Sequence, residues 1–378
     1  MRVVFVTHNY PRYAGDVPGA FLHPLARALA DRGHDVRVVA PSDGGRGGSD
    51  VLDGIPVTRV RYASPAREHY AYSGRMEETV HSLGGIGALL GLIRGLRRGA
   101  REAVGDRRSV VHAHWWFPAG LAAPPESPCV VTLHGTDARI LERPGASWLA
   151  RKALRSGRIV TAVSSAIGDD VERSTGRTVS GEHVCPMPIA FGGHRSVGGG
   201  GLVFVGRLTA QKRVAIALAA HAQLLKTDPS LTFTIVGDGP ERTALEAEAR
   251  RLGTTDRVVF TGMVEPSAVA TTMGHAEIFL FPAEREGFGL AAVEALGAGV
   301  PVIACRDGGG VLDILREPGA GIIVDPDPTR MALAAGILRG QPTAREAAWQ
   351  AGQAWRGLLA PDAVAARCER WYQEALGG

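Results

Sequence analysis

Short apolar runs alternate with helical repeats at the start of the chain. Residues 3–7 form a continuous apolar run, which is typical of a buried strand. A loop with Gly and Pro follows, and residues 21–29 then place their apolar side chains on one helical face that ends at Gly33. Residues 36–40 form the next apolar run. This order predicts a βαβ unit in a parallel sheet, with a ligand site at the carboxyl ends of the strands.

The same pattern continues along the chain and then repeats in its second half. Apolar runs that predict further strands lie at residues 110–113, 129–133, 159–163, 201–205, 231–236, 258–260, 278–281 and 300–304. A helix is predicted between the strands at about residues 214–225. The fold class is therefore α/β, with two Rossmann-like, doubly wound parallel-sheet domains.

The junction between the two domains is indicated by proline and glycine. Residues 185–194 and 198–201 combine these two residue types too densely for a regular element. We therefore expect an N-terminal domain at residues 1–190 and a C-terminal domain at 200–360. A last helix within residues 361–378 is predicted, and the sequence does not indicate which domain it packs on.

Composition narrows the class of protein. The chain has 378 residues, of which 45% are hydrophobic and 21% charged, which suits two globular domains. Its four cysteines show no C-x-x-C spacing, which argues against a disulfide framework and a zinc site. The first apolar run is too short for a signal peptide, and no stretch reaches about 18 apolar residues. We therefore expect a reducing cytoplasm.

Charge indicates little about partners, with one exception. The net charge of +4 comes from scattered basic residues with no interleaved aromatic side chains, so we expect no nucleic-acid partner. Residues 89–104 form an apolar stripe with Arg94, Arg97, Arg98 and Arg101 beside it. Such a helix packs on a sheet with its arginines in water, or contacts an anionic membrane surface from the cytoplasmic side. Both interpretations stay open.

Two carboxylates flank a predicted helix start in the second half. Glu286 precedes Gly287, Phe288, Gly289 and Leu290, and Glu294 follows inside an apolar helix. The free amides of a helix N-terminus bind phosphate, and carboxylates accept hydrogen bonds from sugar hydroxyls. A sugar nucleotide would fit this pattern. The alternative is a first-turn carboxylate beside an unrelated one.

Two cations follow the first strand of the second half. Arg207 lies where the strand ends, and Lys212 lies where the next helix begins. Because strand ends and helix starts meet at the ligand crevice of a doubly wound sheet, both side chains are candidates for binding a diphosphate. Lys212 is one of only three lysines in the chain, which adds weight to this interpretation.

These residues carry a resemblance to a known family. The chain resembles retaining glycosyltransferase family 4, which has the GT-B fold of two Rossmann-like domains facing across a cleft. The matching motifs are Gly206-Arg207-Leu208 with Lys212, Val236-Gly237-Asp238-Gly239-Pro240, Thr261-Gly262, Glu286 to Glu294, Val111-His-Ala-His114 and Thr132-Leu-His134-Gly135-Thr136-Asp137. The resemblance covers nearly the whole chain and is most specific in its C-terminal motifs.

The resemblance implies a role for each donor-side residue. Arg207 and Lys212 would bind the diphosphate of a nucleotide sugar and neutralise the leaving group. Glu294 would accept hydrogen bonds from the ribose, and Glu286 would face the hexose. The backbone of Phe288, Gly289 and Leu290 would add contacts, while Gly237, Gly239 and Gly262 would let the main chain approach the nucleotide.

The resemblance also implies an acceptor side and a mechanism. His134 would lie near the reacting carbon, and Asp137 would orient the acceptor or the histidine. Retention would follow from attack on the face that the diphosphate leaves, with the leaving phosphate oxygen taking the acceptor's proton. Glu286 would then position the sugar and need not attack it. No cofactor and no metal are expected.

Several motif residues depart from this pattern or have a simpler explanation. Gly15 lies where many family members have paired glycines near the pyrophosphate, so its donor role is open, and Asp16 is a candidate helix cap. Asp325 and Asp327 are separated by one proline and followed by another, which predicts a turn before a helix and no metal site. His112 and His114 are typical of structural histidines on a buried strand.

Several functions stay open at the level of the sequence. The leading one is transfer of glucose, N-acetylglucosamine or mannose from a nucleoside diphosphate sugar, with uridine favoured and guanosine next, to a small polar or specialised-metabolite acceptor. The same chemistry on an envelope lipid or polysaccharide is the alternative. A nucleotide-sugar epimerase, a phosphorylase and a non-catalytic sugar-nucleotide-binding protein are further alternatives. No oligomeric state is predicted.

Overall fold

The chain forms two compact α/β units. The computed structural model describes residues 1–68, 70–72, 82–143, 145–155, 157–189 and 199–377. The N-terminal unit consists of Met1–Ile189 with Leu359–Gly378, and the C-terminal unit consists of Ala190–Leu358. The predicted linker falls mostly on residues 190–198, which lie outside the described residues.

A seven-stranded sheet forms the centre of the N-terminal unit. Its strands are β1 (Arg2–Val6), β2 (Asp35–Pro41), β3 (Gly48–Leu52), β4 (Ile55–Val60), β5 (Ser109–His114), β6 (Cys129–Leu133) and β7 (Ile159–Ala162). Their spatial order is β3-β4-β2-β1-β5-β6-β7, and only β3 runs antiparallel to its neighbour. The helices are α1 (Leu22–Asp31), α2 (Leu83–Val104), α3 (Thr136–Ile140), α4 (Ala146–Ala153) and α5 (Ser165–Thr175).

The C-terminal unit has a six-stranded sheet in which every pair is parallel. Its strands are β8 (Leu202–Val205), β9 (Phe233–Val236), β10 (Val258–Gly262), β11 (Ile278–Phe281), β12 (Val302–Cys305) and β13 (Gly321–Val324). Their order is β10-β9-β8-β11-β12-β13. The helices are α6 (Val214–Leu224), α7 (Arg242–Arg251), α8 (Pro266–His275), α9 (Leu290–Gly297), α10 (Val311–Ile314), α11 (Pro328–Arg339) and α12 (Ala344–Leu358).

Both sheets confirm the predicted α/β fold class, and the burial of their strands explains the apolar runs in the sequence. The strands of β1 and β11 are buried along their whole length, as expected for parallel strands covered on both faces. In the C-terminal unit, α6 and α11 pack together over the sheet through residues such as Leu218 and Met331. The four cysteines are buried and unpaired.

The last helix belongs to the N-terminal unit. Helix α13 (Pro361–Ala375) packs against α1, and the Glu369 carboxylate accepts hydrogen bonds from Arg32 and His34 at 2.7–2.9 Å. The hydroxyl of Tyr372 lies 2.8 Å from Nδ1 of His112 inside the sheet core. These contacts tie the end of the chain to the N-terminal sheet.

Helix α2 begins earlier than the apolar stripe at residue 89 predicts. Gly84 to Gly87 look like a surface turn in sequence, yet they lie in the first turns of this helix. Ser82 caps it, because its side chain accepts a hydrogen bond from the Gly85 amide at 3.0 Å. Glycine is needed further along, since a Cβ at Gly91 would lie 2.2 Å from the carbonyl oxygen of Tyr62. Within the described residues, no helix is both long and apolar enough to cross a bilayer.

Candidate active site

The predicted donor residues lie at the point where the strand order of the C-terminal sheet reverses. Strands β8 and β11 are neighbours, and the chain moves outward from them in opposite directions. The loop after β8 carries Arg207 and Lys212, and the loop after β11 carries Glu286. Ligands of doubly wound sheets bind at the carboxyl ends of strands at such a switch point. The fold therefore brings these three side chains to the edge that suits ligand binding.

Hydrogen bonds join these two loops. The side-chain amide of Gln211 donates to the carbonyl oxygens of Glu284 and Arg285, at 2.9 and 3.1 Å. Arg213 donates to both carboxylate oxygens of Asp307, at 2.8 and 2.6 Å, and this ion pair lowers the pKa of Asp307. Arg213 and Arg285 have φ values of 45° and 48°, in the left-handed region that side chains rarely adopt. The sequence did not predict these contacts of Gln211 and Arg213. The one sequence feature that pointed to them is that Arg213 is adjacent to Lys212.

The two predicted diphosphate cations differ in their surroundings. Arg207 is exposed, and its guanidinium has no ion pair within the described ranges. Nζ of Lys212 lies 2.5 Å from an oxygen of Glu286 and 5.3 Å from the centre of the Phe281 ring. Lys212 and Glu286, which the resemblance assigns to different parts of the donor, thus form an ion pair with each other. A diphosphate that binds Lys212 must compete with this carboxylate.

The glycines after β9 are needed for close packing of the protein itself. A Cβ at Gly237 would lie 2.0 Å from the carbonyl oxygen of Gly206, and one at Gly239 would lie 2.3 Å from that of Leu208. The amide of Gly237 donates to the carbonyl of Gly262 at 2.9 Å. The packing of the protein alone therefore already requires glycine at both positions, and the approach of their main chain to a nucleotide stays a prediction. Gly262 has φ +71° and lies at the end of β10.

The start of α9 offers free amides. Gly289 precedes this helix with φ +102°, and the Phe288 ring turns inward to pack edge-on against Trp355 with ring centres 5.5 Å apart. Phe288 is buried and Leu290 is exposed. The backbone N–H groups of Phe288, Gly289 and Leu290 donate to no acceptor in the part of the chain that the structure describes. They are suited to receive an anion, aided by the helix dipole.

Glu294 lies on the same face of α9 as Leu290, one turn further along. Its side chain is exposed and makes no hydrogen bond or ion pair to another described residue. The surrounding protein nevertheless limits its hydration, which raises the pKa of the Glu294 carboxyl. An unpaired carboxylate at this position can accept hydrogen bonds from hydroxyl donors.

The acceptor-side histidine lies at the equivalent edge of the N-terminal sheet. His134 follows β6, and its ring packs against Trp115 and Phe21 with centres 4.5 and 5.2 Å apart. Trp115 directly follows β5 and has φ 68°, a positive value that is rare for a bulky residue. Burial lowers the pKa of the His134 imidazole well below its usual value, so the ring is neutral near pH 7. Trp115 was not predicted as a site residue, since nothing in its local sequence indicates its backbone conformation.

Asp137 holds the histidine loop through hydrogen bonds to the backbone. Its carboxylate accepts hydrogen bonds from the amides of His134, Gly135 and Trp116, at 3.0, 3.1 and 3.0 Å. The side chain is buried, and this burial raises the pKa of Asp137 to about 6. These hydrogen bonds suit the expected role of orienting the histidine, and both roles expected for Asp137 stay predictions.

The two histidines of β5 differ from each other. His112 has both ring nitrogens bonded, to Tyr372 and to Thr132 at 2.8 and 2.7 Å, as expected of a structural histidine. His114 lies with its Nδ1 3.2 Å from Nε2 of His134, and its own Nε2 is buried and has no partner among the residues that the structure describes. His114 therefore belongs to the site, although the sequence favoured a purely structural role for it.

The loop after β1 also corrects one expectation. Asp16 does not cap α1, because its carboxylate accepts from the backbone and the side chain of Arg12, at 3.0 and 2.7 Å. Gly15 has φ +87° and open space around it, and its contact with a diphosphate stays a prediction.

The two aspartates at residues 325 and 327 precede a helix, as predicted. Asp327 caps α11, since its side chain accepts a hydrogen bond from the Arg330 amide at 2.9 Å. The described residues contain no cluster of three or more His, Cys, Asp or Glu side chains that could bind a metal.

Two family models match the chain, one on each unit. Residues 198–340 match the model described as glycosyl transferases group 1, and residues 19–184 match glycosyltransferase family 4. The first match contains Arg207, Lys212, Glu286 and Glu294, and the second contains His134.

Similar proteins and structures extend over the whole length. The glycogen synthase of Mycobacterium tuberculosis is 29% identical, over 82% of this chain and 79% of that one. Sucrose-phosphate synthase from Thermosynechococcus elongatus superposes with a TM-score of 0.79 at 18% identity, over 100% of this chain and 99% of the other. The UDP-forming α,α-trehalose-phosphate synthase from Burkholderia vietnamiensis gives 0.74 at 14% identity, over 99% and 97%.

Fold, site and similarity together define an enzyme of the glycosyltransferase class with the GT-B fold. Within that class, the chain belongs to the family 4 type. The family type and the fold implied by the sequence motifs are thereby confirmed, and the retaining mechanism stays a prediction.

Proposed function

We propose that the protein is a retaining hexosyltransferase that moves a sugar from a uridine diphosphate donor to a hydroxyl of a small polar acceptor. The observation that carries this proposal is the set of unengaged groups at the β8/β11 switch point. Among the described residues, Arg207 is an unpaired cation, the amides of Phe288 to Leu290 are free, and Glu294 is an unpaired carboxylate. Arg207 and the free amides can bind the two phosphates, and the Glu294 carboxylate can accept hydrogen bonds from ribose hydroxyls. Together these groups match a nucleoside diphosphate.

Each donor-side residue then has a distinct task. Arg207 and Lys212 bind the diphosphate and stabilise the negative charge that grows as it leaves. Glu294 accepts hydrogen bonds from the ribose hydroxyls. Glu286, displaced from Lys212 by the diphosphate, becomes free to bind hexose hydroxyls. The choice of a uridine diphosphate donor is supported by a structurally similar enzyme whose name describes it as UDP-forming.

The proposed chemistry is front-face transfer without a metal. The bond from the anomeric carbon to the diphosphate oxygen breaks as the acceptor oxygen approaches from the same face, and the leaving oxygen takes the acceptor's proton. The two cations supply the positive charge that a metal ion supplies in other enzymes. We expect activity to survive a metal chelator. Complete loss of transfer in excess chelator, with recovery on adding a divalent ion, would contradict a metal-independent mechanism.

A small polar acceptor is supported by a cavity in the N-terminal unit. The cavity has a volume of about 340 Å³ and lies at the edge where β1, β2 and β4 end. Its lining mixes cations and carboxylates, namely Arg12, Arg46, Arg59, Asp43 and Asp50, with Tyr13 beside them. Such a lining offers both hydrogen-bond donors and acceptors, which suits a polyhydroxylated or aminated molecule.

A direct transfer assay tests the proposal. The protein is incubated with uridine diphosphate hexoses and a panel of sugars, sugar phosphates, inositols and aminocyclitols, and products are detected by mass spectrometry. The proton coupling of the new anomeric centre then reports its configuration. We expect an α-linked product from an α-configured donor, and Arg207→Leu should lower turnover more than tenfold without changing stability. Arg257→Leu, an exposed arginine of the same unit, is the matched control.

Inversion of configuration would refute the retaining mechanism. Equal activity of Arg207→Leu and wild type would refute the donor site. Transfer from guanosine diphosphate mannose with no use of uridine donors would correct the base while leaving the site assignment intact.

An envelope lipid acceptor is the second candidate, and one observation favours it. Helix α2 exposes Ile86, Leu90, Arg94 and Arg98 at four-residue spacing, so two aliphatic side chains and two arginines follow one another on one face. Arg94 and Arg98 also line a cavity of about 380 Å³ with Arg61, and its lining includes no carboxylate. This surface suits peripheral contact with an anionic bilayer.

Vesicle binding distinguishes the two acceptor classes. The protein is pelleted with phosphatidylglycerol vesicles and with neutral phosphatidylcholine vesicles. A lipid acceptor predicts binding to the anionic vesicles only, which is lost in the Arg94→Gln/Arg98→Gln variant. The Arg250→Gln/Arg257→Gln variant changes the net charge equally at another surface and should still bind. If the wild-type protein does not pellet with anionic vesicles, the support for a lipid acceptor is lost.

A further inference from the structure

A buried contact between two histidines determines which ring nitrogen of His134 carries the proton. His114 is fully buried on β5, where its ring packs against those of His112 and Phe5, with centres 4.1 and 4.7 Å away. Its Nδ1 is 3.2 Å from Nε2 of His134, within hydrogen-bonding distance. Burial lowers the pKa of both imidazoles, so each ring carries one proton near neutral pH.

Two arrangements of these protons are possible, and they differ in what they leave unsatisfied. If Nε2–H of His134 donates, the proton of His114 lies on its own Nε2, which is buried and has no partner in the described chain. If Nδ1–H of His114 donates, that same Nε2 is an unprotonated acceptor. A buried N–H donor without a partner is rare and costly in proteins, whereas a buried lone pair without a donor is tolerated more often. The second arrangement is therefore favoured.

We infer that His114 is a positioning residue that donates to His134 and thereby fixes the proton of His134 on Nδ1. Nδ1 of His134 makes no hydrogen bond to a described residue, and it is not among the buried polar atoms that lack one. It is therefore the ring atom available to a ligand. His134 offers the substrate a neutral N–H donor, and its only lone pair is already engaged by His114.

This inference sharpens the proposed mechanism and rests on it for its functional meaning. A histidine in this tautomer cannot take the acceptor's proton, because its unprotonated nitrogen faces His114. The proton must pass to another oxygen, which agrees with transfer to the leaving phosphate. His134 then acts by donating a hydrogen bond to an oxygen of the sugar or of the leaving group.

Nitrogen-15 NMR tests the tautomer independently of activity. The protein is labelled with ¹⁵N-histidine, and long-range ¹H–¹⁵N correlations distinguish protonated from unprotonated ring nitrogens. The signals of His134 are identified by their loss in His134→Asn. We expect a protonated Nδ1 and an unprotonated Nε2 in the wild type, and a proton on Nε2 of His134 would overturn the inference. This reading needs no variant of His114.

Substitution of His114 tests the positioning role. His114→Phe keeps a ring of similar size and removes the donor, so the His134 signals should shift toward the other tautomer or a mixture. Loss of one neutral hydrogen bond predicts a kcat about three- to tenfold lower with the donor KM unchanged. His112→Phe is the matched control, since His112 is equally buried on the same strand and its ring nitrogens bond to Tyr372 and Thr132 instead of His134.

The outcomes separate this inference from the proposed function. An unchanged tautomer in His114→Phe, or an equal kcat loss in His112→Phe, would contradict the positioning role. The expected tautomer in a protein that transfers sugar to no acceptor would support the inference and refute the proposed function.

Discussion

Replacement of Glu286 by glutamine tests whether a diphosphate competes for Lys212. In the structure Nζ of Lys212 lies 2.5 Å from a Glu286 oxygen, so binding of a diphosphate must break or share that ion pair. Glu286→Gln keeps the shape of the side chain and removes its charge. Lys212 is then released in the free protein, and a negative charge beside the incoming phosphates is removed. We therefore expect Glu286→Gln to bind uridine diphosphate more tightly than the wild type does.

The size of this effect follows from the exposure of the pair. The two side chains are 17% and 21% exposed, so the pair lies between a surface pair and a buried one. Surface pairs contribute about 0.2–1 kcal/mol, and the upper value is appropriate here. About 1 kcal/mol corresponds to a Kd roughly fivefold lower. Because Glu286 also binds hexose hydroxyls in the proposed mechanism, kcat for transfer should fall in the same variant.

Isothermal titration of wild type and variant with uridine diphosphate measures the difference. Glu284→Gln is the matched control, because this carboxylate lies two residues earlier, 3.5 Å from Arg213, and is more exposed. It should change the Kd by less than about twofold. Unchanged or weaker binding of uridine diphosphate by Glu286→Gln would show that Lys212 does not exchange Glu286 for the diphosphate.

Two further predictions concern stability. Gly237→Ala should lower the free energy of unfolding by at least about 2 kcal/mol in urea denaturation, because its Cβ would lie 2.0 Å from the Gly206 carbonyl at a positive φ. Gly336→Ala, in the middle of α11 with open space around it, should be neutral or stabilising, and an equal loss there would contradict the argument. Glu369→Gln should lower the melting temperature at pH 7 but not near pH 2. Arg32 and His34 lower the pKa of Glu369 from 4.5 to about 2, so its stabilising contribution is present above 4.5 and lost as the pH falls toward 2. A difference between the two proteins that persists at pH 2 would show that charge pairing is not the cause.

The donor loops illustrate how far the sequence could predict the site. Apolar runs at β8 and β11, together with the motif residues between elements, predict that Arg207 and Glu286 reach the carboxyl edge of the sheet. The pairing of Lys212 with Glu286 could not be predicted, because it depends on rotamers set by the folded loops. The need for glycine at position 237 could not be predicted either, because the residue that a side chain would meet, Gly206, follows a different strand.

The N-terminal site shows a second limit. Burial of β5 is predicted by its apolar pattern, and burial alone suggests two structural histidines. Their different roles follow from tertiary neighbours, since His112 meets Tyr372 from the end of the chain while His114 meets His134 from β6. Strand β3, at the edge of the sheet, and its neighbour β4 were missed because β3 has few apolar residues and Pro56 interrupts the apolar pattern of β4. Long-range contacts of this kind are not encoded in local periodicity.

Binding of uridine diphosphate to Glu294→Ala tests the central claim most directly. The claim is that the loops after β8 and β11, with helix α9, form a nucleoside diphosphate-sugar site in which Glu294 binds the ribose. Isothermal titration should give measurable binding by the wild type and a Kd roughly tenfold or more higher for the variant, because hydrogen bonds to a charged group contribute about 1.5–3 kcal/mol. Equal affinity of the two proteins would contradict the site assignment.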